Sequence, residues 1–557
     1  MAIHPYPDHL FGDLDQPKKG SLHHITQNKG LHHAWRVSPW LPKPDEPFRI
    51  IATSSSDLAV QLVTLRYSLD EGKSWQDSSF EAGEFRWDTL TWGWIREWQL
   101  DFPAMAEGSV LLYQVYATLP GGKLCFADNQ AVDLVLATLF RLRLTSRNQP
   151  PAWSEQAVIY QVFVDRFNPG KGKKWLQTAD LTKPFGGTLR GVIEKLDTIK
   201  DLGFNTIWLT PIFASPSHHG YDISDYLRIE PRMGTEADLR ELLDQAHAKD
   251  MRVLLDFVAN HCSNQHVSFQ AALAGDESAR PWFKWQGFPE YEGFYGVPEM
   301  PCLNLEPGSP ARTHLLAVAR YWLKFGVDGY RLDFANGPER EFWVELLQAC
   351  QEVNPDCWTF GEIVAPADEQ ITFAGGMHGT LDFLTCQAIR ETFATGHWSL
   401  SHLAGYLENY WVGFPREFSR PAFIDNHDMN RFFFTAQGSV PAQEAALRLL
   451  YLMPGAPIVY YGSEQELSQR QSIHANNALG FDEARMPIDW EERKEHNSAR
   501  VLREMAAFRR ENPWLSHARW HTLELEPQKV VFKVNDGQNH LLVEINGDQD
   551  AWQVIFR

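Results

Sequence analysis

Gly329-Tyr330-Arg331-Leu332-Asp333 reads as a short strand ending on a carboxylate, and the pattern recurs down the chain. It returns in Phe360-Gly361-Glu362 and in Phe423-Ile424-Asp425-Asn426-His427-Asp428. Each time an apolar run gives way to charge at its C-terminal end. In a barrel of alternating strands and helices, those ends face the active site. Asp333 and Glu362 lie 29 residues apart, about one βα unit, and Glu362 and Asp428 lie 66 apart, about two. Three carboxylates then converge on one mouth. That points to acid/base or covalent chemistry on a sugar or phosphate ester, or to a metal site.

Working outward, strand-like runs fall at 158–164, 206–212, 252–258, 329–334, 358–363, 380–385, 421–426 and 456–461. Amphipathic stretches separate most of them. The clearest, Thr235 to Met251, opens on a Thr-x-x-Asp cap signal and sets Leu239, Leu242, Leu243 and Ala246 on one stripe. Eight strands with helices between them predict an α/β chain whose centre, residues 157–514, is a (β/α)8 TIM barrel. The third and fourth strands are separated by about 45 residues more than a helix needs. The excess, at about 262–308, is rich in aromatics and proline and predicts a subdomain inserted over the barrel mouth after strand 3.

Residues 31–138 read instead as short alternating strands parted by turns such as Asp70-Glu71-Gly72, which predicts an N-terminal β-sandwich. Trp75, Trp87, Trp92, Trp94 and Trp98 crowd its middle and are expected mainly in core and interdomain packing, with a sugar-binding face as the alternative. A polar arm (1–30) precedes the sandwich, and a linker (139–156) containing Asn148-Gln149-Pro150-Pro151 follows it. Alternating runs near 529–534 and 541–545 predict a small C-terminal β-domain over 515–557.

With 557 residues, 44% of them hydrophobic and 22% charged, the chain is an ordinary globular protein of several domains. Its net charge of −20 argues against a nucleic-acid partner, which would need a basic face. No apolar run reaches the roughly 18 residues of a membrane span. Six scattered cysteines (Cys125, Cys262, Cys302, Cys350, Cys357, Cys386) form no Cys-x-x-Cys pair. Together with an N-terminus that lacks a signal-peptide pattern, they predict a cytoplasmic protein.

Cleaving a glycosidic bond with retention takes one carboxylate to attack the anomeric carbon and one carboxyl group to protonate the leaving oxygen, roughly 5–5.5 Å apart. Asp333 and Glu362, on adjacent strand tips, suit that spacing. Arg331 sits two residues before Asp333, on the same face of the strand, where it favours an ionised carboxylate. Glu362 ends an apolar strand, where a carboxyl group tends to keep its proton. Asp428, beside His427, is a third acid able to hold sugar hydroxyls. Taken singly, each motif could equally be a strand-end cap or an ion pair. His261 and His427 lack the His-x-x-x-His spacing of a metal site, so hydrogen bonding to substrate is the better reading for both.

These motifs, in this order, resemble the α-amylase family of glycoside hydrolases (family 13) over about residues 155 to 510. Asp256-Phe257-Val258-Ala259-Asn260-His261 resembles its first signature segment, and Tyr460 to Glu464 the end of its eighth strand. The resemblance implies Asp333 as nucleophile, Glu362 as acid/base and Asp428 as transition-state stabiliser. Gly220-Tyr221-Asp222 is similar to the segment whose tyrosine stacks beneath the sugar. Met300-Pro301-Cys302-Leu303-Asn304 is similar to a segment of the cyclomaltodextrinase, neopullulanase and maltogenic amylase group. That group implies hydrolysis of α-1,4 bonds in maltooligosaccharides or cyclodextrins, with transglycosylation as a further capacity. It also implies a homodimer formed through the sandwich. Tyr221, Asp222, His261, Arg331 and His427 would bind substrate. No cofactor is required, although Asn260 could serve a calcium ion.

The chain departs from the group at Gly337-Pro338, where a glutamate usually follows Ala-Asn, and at Asp425-Asn426, which is closer to plain α-amylases. His218 stands where exo-acting α-glucosidases carry an aspartate, and the basic run Arg166 to Lys174 does not fit a calcium loop. Three readings stay open: a cyclomaltodextrinase-like hydrolase, an α-glucosidase or transferase of the same family, and a non-catalytic carbohydrate-binding barrel.

Overall fold

A computed structural model describes residues 30–88, 93–475, 480–491, 495–547 and 551–557. Most of the expected arm lies outside these residues, as does Trp92.

Eight parallel strands make the central sheet: β1 (Ile159–Val162), β2 (Thr206–Leu209), β3 (Arg252–Val258), β4 (Gly329–Asp333), β5 (Trp358–Gly361), β6 (Gly379–Thr380), β7 (Ala422–Phe423) and β8 (Pro457–Tyr460). Seven neighbouring pairs run from β6 through β1 to β7. Parallel bridges from Gly379 to Ser419 and from Asp382 to Ala422 join the two ends. This is the TIM barrel the spacing predicts. Gly329 marks where two strands press together, because a Cβ there would lie 1.9 Å from the Trp358 carbonyl oxygen. The registers Val258↔Asp333 and Leu332↔Gly361 bring the ends of β3, β4 and β5 to one level.

Capping fixes the helices between the strands. Thr235 and Asp238 form a reciprocal capping box for Glu236–His247, which buries Leu239, Leu242, Leu243 and Ala246. Pro310–Phe325 starts behind Ser309 with proline in its first turn and stops at Gly326, where φ is 111°. The same chemistry corrects one expected strand. Residues 380–385 do not continue as β-structure, because Asp382 caps the helix Phe383–Phe393 by accepting the Thr385 N–H at 2.9 Å.

Two five-stranded antiparallel sheets form the N-terminal sandwich around Ile50, Val63, Leu65, Trp98, Leu111 and Tyr113. The expected linker begins too early: Phe140–Arg143 pairs antiparallel with Val110–Thr118, and the inward-facing Phe140 and Leu142 are buried in the sandwich core. Of the tryptophans, Trp98 is core, whereas Trp87 and Trp94 stand exposed and edge-on at 5.8 Å. Sandwich and barrel meet through Trp35 Nε1 donating to Glu341 (2.8 Å) and Arg143 donating to Gln351 (2.9 Å). Four antiparallel strands from Arg519 to Phe556 make the C-terminal sheet.

After β3 the insert forms the helix Val267–Leu273, the hairpin Trp285–Gly287/Glu290–Tyr291 and the turn Phe294–Gly296. Phe269, Phe283, Trp285 and Tyr291 pack together as its core. It returns to the barrel mouth through Cys262 N–H donating to Pro301 (3.2 Å) and Leu303 N–H donating to Asn260 (2.9 Å).

Candidate active site

Arg331, wholly buried on β4, organises the mouth. One of its terminal nitrogens, Nη1, lies 2.7 Å from both Asp256 Oδ1 and Asp333 Oδ1, and the other, Nη2, lies 2.8 Å from Glu362 Oε2. Three carboxylates from β3, β4 and the end of β5 therefore share one guanidinium. The planar fork of arginine suits such a site, because it presents several donors in fixed directions. Phe334 N–H adds a hydrogen bond to Glu362 Oε2 at 3.0 Å, which leaves Oε1 to carry a proton.

With three acids on one cation, the electrostatics follow. Burial pushes Asp333 well above the usual carboxylate range and Glu362 upward, with Arg331 opposing in both cases. The Glu362 charge adds to the rise at Asp333, so a proton held on Glu362 favours an ionised Asp333. Asp428 goes the other way. Burial would raise it, but His427 and Arg485 hold it well below its ordinary value. One site thus contains a group able to donate a proton and a group locked as an anion.

A second network links Asp428 to the far side of the barrel. His427 Nε2 lies 2.9 Å from Asp428 Oδ2, and Gln161 on β1 donates its amide to His427 Nδ1 at 2.8 Å. With the Gln161 amide in this orientation, the imidazole proton sits on Nε2. Tyr221 hydroxyl contacts the same Nε2 and donates to Asp256 Oδ2 at 3.0 Å, while its ring stacks parallel to His427 at 5.2 Å. Trp208 Nε1 also donates to Asp256 Oδ2, at 3.2 Å.

Asp333, Glu362, Asp428, Arg331, Tyr221 and His427 are all brought together, but three other expected site residues are used differently. Asp222 accepts hydrogen bonds from the Ser215 hydroxyl at 2.5 Å and from the Ser217 hydroxyl, so it shapes the turn that presents Tyr221. His261 is buried and stacked on Phe294 of the insert at 4.3 Å, and burial drives it down to about 3, leaving it neutral. Asn260 meets Cys302 Sγ at 4.0 Å and Gly337, and its carbonyl accepts the Leu303 N–H. None of these neighbours is a carboxylate, whereas calcium takes six to eight oxygen ligands. Asn260 does not fit a calcium ion. Among the described residues no group of three His, Cys, Asp or Glu could hold a metal.

Two groups escaped the sequence reading. Asp256 was visible only as the head of a motif; its place opposite Arg331 depends on register between β3 and β4. Arg485, in the segment after β8, carries no local signal at all. Its Nη2 donates to Asp428 Oδ1 at 2.8 Å and its Nε donates to the His427 carbonyl at 2.9 Å. Asp482 lies 3.4 Å from Arg485 Nη1 and 2.7 Å from His218 Nε2, which clasps this segment to the loop after β2.

Arg485→Met should lower kcat about 10- to 100-fold, the worth of a charge-assisted hydrogen bond. Asp428 would then lose one of the two groups that keep it ionised and oriented. A kcat close to wild type in Arg485→Met would remove Arg485 from this role.

A family model described as "Alpha amylase, catalytic domain" matches residues 161–519. The chain belongs to the α-amylase family of glycoside hydrolases. It is 31% identical to "Alpha-amylase 2" of Dictyoglomus thermophilum, an alignment covering 92% of this chain and 87% of that one. It is 31% identical to a cyclomaltodextrinase of Geobacillus thermopakistaniensis, over 73% of this chain and 71% of that one. Among solved structures it resembles the cyclic α-maltosyl-(1→6)-maltose hydrolase of Arthrobacter globiformis. There the TM-score is 0.65 at 29% identity, covering 72% of this chain and 92% of that one. Among the described residues of this α-amylase-family chain, no helix is long and apolar enough to cross a membrane.

Proposed function

We propose that the chain hydrolyses α-1,4-glucosidic bonds in maltooligosaccharides, cyclodextrins or related α-glucans, with retention of configuration and with transfer to a sugar acceptor as a side reaction. One observation carries this reading: Asp333 and Glu362 flank a single guanidinium while Asp428 is held as an anion alongside. Asp333 attacks the anomeric carbon and forms a glycosyl-enzyme as Glu362 Oε1 gives its proton to the leaving oxygen. Loss of that proton turns Glu362 into the base that activates water or an acceptor hydroxyl for the second step. Asp428 and His427 hold ring hydroxyls while positive charge develops, and Tyr221 stacks beneath the ring.

Relatives with cyclomaltodextrinase in their names support small or cyclic substrates, and the insert over the mouth suits a cleft of limited length. None of the six cysteines is joined in a disulfide, which supports a reducing, cytoplasmic setting. A homodimer through the sandwich and the sandwich–barrel–C-terminal sheet division remain part of the same proposal.

The test is to incubate the purified chain with β-cyclodextrin, maltotriose, pullulan and starch and to resolve the products by chromatography. Cyclodextrin and maltotriose should disappear faster than starch. Starch preferred would indicate an open cleft, and products mainly longer than the substrate would indicate a transferase.

A further inference from the structure

Arg485 meets Asp428 from a stretch with no regular structure. The short 3-10 helix Phe481–Ala484 ends just before it, and residues 485–489 form neither helix nor strand. Carbonyls in such a stretch lack the partners that a helix or sheet supplies, so they depend on donors from elsewhere. Three consecutive ones find side chains from three separate parts of the barrel. Arg431 Nε donates to the Ala484 carbonyl at 2.9 Å, Arg166 Nη1 to the Arg485 carbonyl at 3.4 Å, and the Tyr461 hydroxyl to the Met486 carbonyl at 2.6 Å.

All three donors are wholly buried. Burying a guanidinium is costly unless its donors are met, and here two are buried around one short segment. Arg166, first in the basic run after β1, is steered by Asp165. That carboxylate accepts the Arg166 Nε–H at 2.8 Å and also takes the Phe185 and Gly186 N–H groups, at 2.9 and 3.0 Å. Arg166 Nη2 donates to the Leu181 and Lys183 carbonyls, at 2.6 and 3.1 Å. Arg431, three residues after Asp428, donates to the Tyr461 carbonyl at 2.8 Å and lies over the Tyr460 and Tyr461 rings at 4.4 and 4.8 Å. Tyr461 follows directly on β8. The segments after β1, β7 and β8 are thereby tied to the backbone of one residue and its two neighbours.

That residue is the one whose side chain holds Asp428. Arg485 has little freedom left: Nη2 donates to Asp428 Oδ1 at 2.8 Å and Nε to the His427 carbonyl at 2.9 Å. Both bonds depend on where the Arg485 backbone sits, and hydrogen bonds weaken steeply once their angles are lost. A shift of about 1 Å can lower a rate about a hundredfold even when it starts away from the reacting atoms.

We propose that Arg166, Arg431 and Tyr461 are positioning residues for the reaction. Their grip on three consecutive carbonyls sets where the Arg485 guanidinium meets Asp428. The inference rests on the glycosidase reading above. The three act only through Arg485.

The test removes one donor at a time in two backgrounds, wild type and Arg485→Met, with maltotriose as substrate. Tyr461→Phe loses a single hydroxyl and keeps the ring, so it does not put the fold at risk. In wild type it should lower kcat about three- to tenfold and leave KM within about twofold, the worth of one hydrogen bond felt at the reacting centre. In Arg485→Met it should change kcat by less than about twofold, because a residue that acts through Arg485 then has nothing left to position. Arg166→Lys keeps the charge but loses the planar fork, and should follow the same pattern. Equal losses in both backgrounds, or a wild-type kcat in Tyr461→Phe, would overturn the clamp. If Arg485→Met itself keeps the wild-type kcat, the clamp has nothing to act through and is overturned as well. A wild-type chain that leaves maltotriose intact would overturn the glycosidase reading and the clamp with it.

Discussion

Asp333→Ala should lower kcat/KM on maltotriose by about ten-thousandfold or more, the scale seen when a covalent nucleophile is removed. The fold should survive, because Arg331 keeps Asp256 at 2.7 Å and Glu362 at 2.8 Å as partners. A melting curve close to wild type checks that. The stereochemistry of rescue checks the role. Shortening Asp333 opens a space on the face from which it attacks, and azide can enter there. With α-maltosyl fluoride as substrate, azide displaces fluoride directly and inverts the anomeric carbon, giving β-maltosyl azide. If azide gives the α product, or if hydrolysis of maltotriose continues near the wild-type rate, Asp333 is not the nucleophile.

Much of this site was legible because a barrel turns sequence spacing into geometry. Apolar runs ending in Asp333, Glu362 and Asp428 had to finish at one face, and they do. Arg331 could be paired with Asp333 on strand alternation alone. What could not be read depended on contacts between elements or on backbone shape. Asp382 resembles another strand-end acid, but it is a helix cap, and nothing local separates those uses. Phe140–Arg143 follows a turn-rich stretch that reads as linker, and only its pairing with Val110–Thr118 makes it a strand of the sandwich. Asp222 sits beside the platform tyrosine, and only the folded turn puts Ser215 and Ser217 against its carboxylate. Arg485 reaches Asp428 from 57 residues away in a segment without periodicity.

Glu362→Gln should separate the two halves of the mechanism. It removes the transferable proton, and general acid catalysis is worth about a hundred- to ten-thousandfold, so maltotriose cleavage should fall within that range. α-Maltosyl fluoride needs no proton for departure, so Asp333 should still form the glycosyl-enzyme from it. That intermediate then lacks a base to activate water and accumulates. Azide needs no base: it attacks the β-linked intermediate from the opposite face and gives α-maltosyl azide, the opposite anomer to that expected from Asp333→Ala. The pH profile provides a second check. Wild-type kcat/KM falls once Glu362 loses its proton, and burial raises Glu362, so the fall should come at higher pH than an ordinary glutamate of about 4.3 would allow. The residual cleavage of maltotriose by Glu362→Gln should lack that alkaline limb, because the titrating group is gone. A limb that persists in the variant, or azide rescue that yields the β anomer, would mean that the proton comes from another group. Asp428 would be a poor substitute, since His427 and Arg485 keep it ionised throughout the working range.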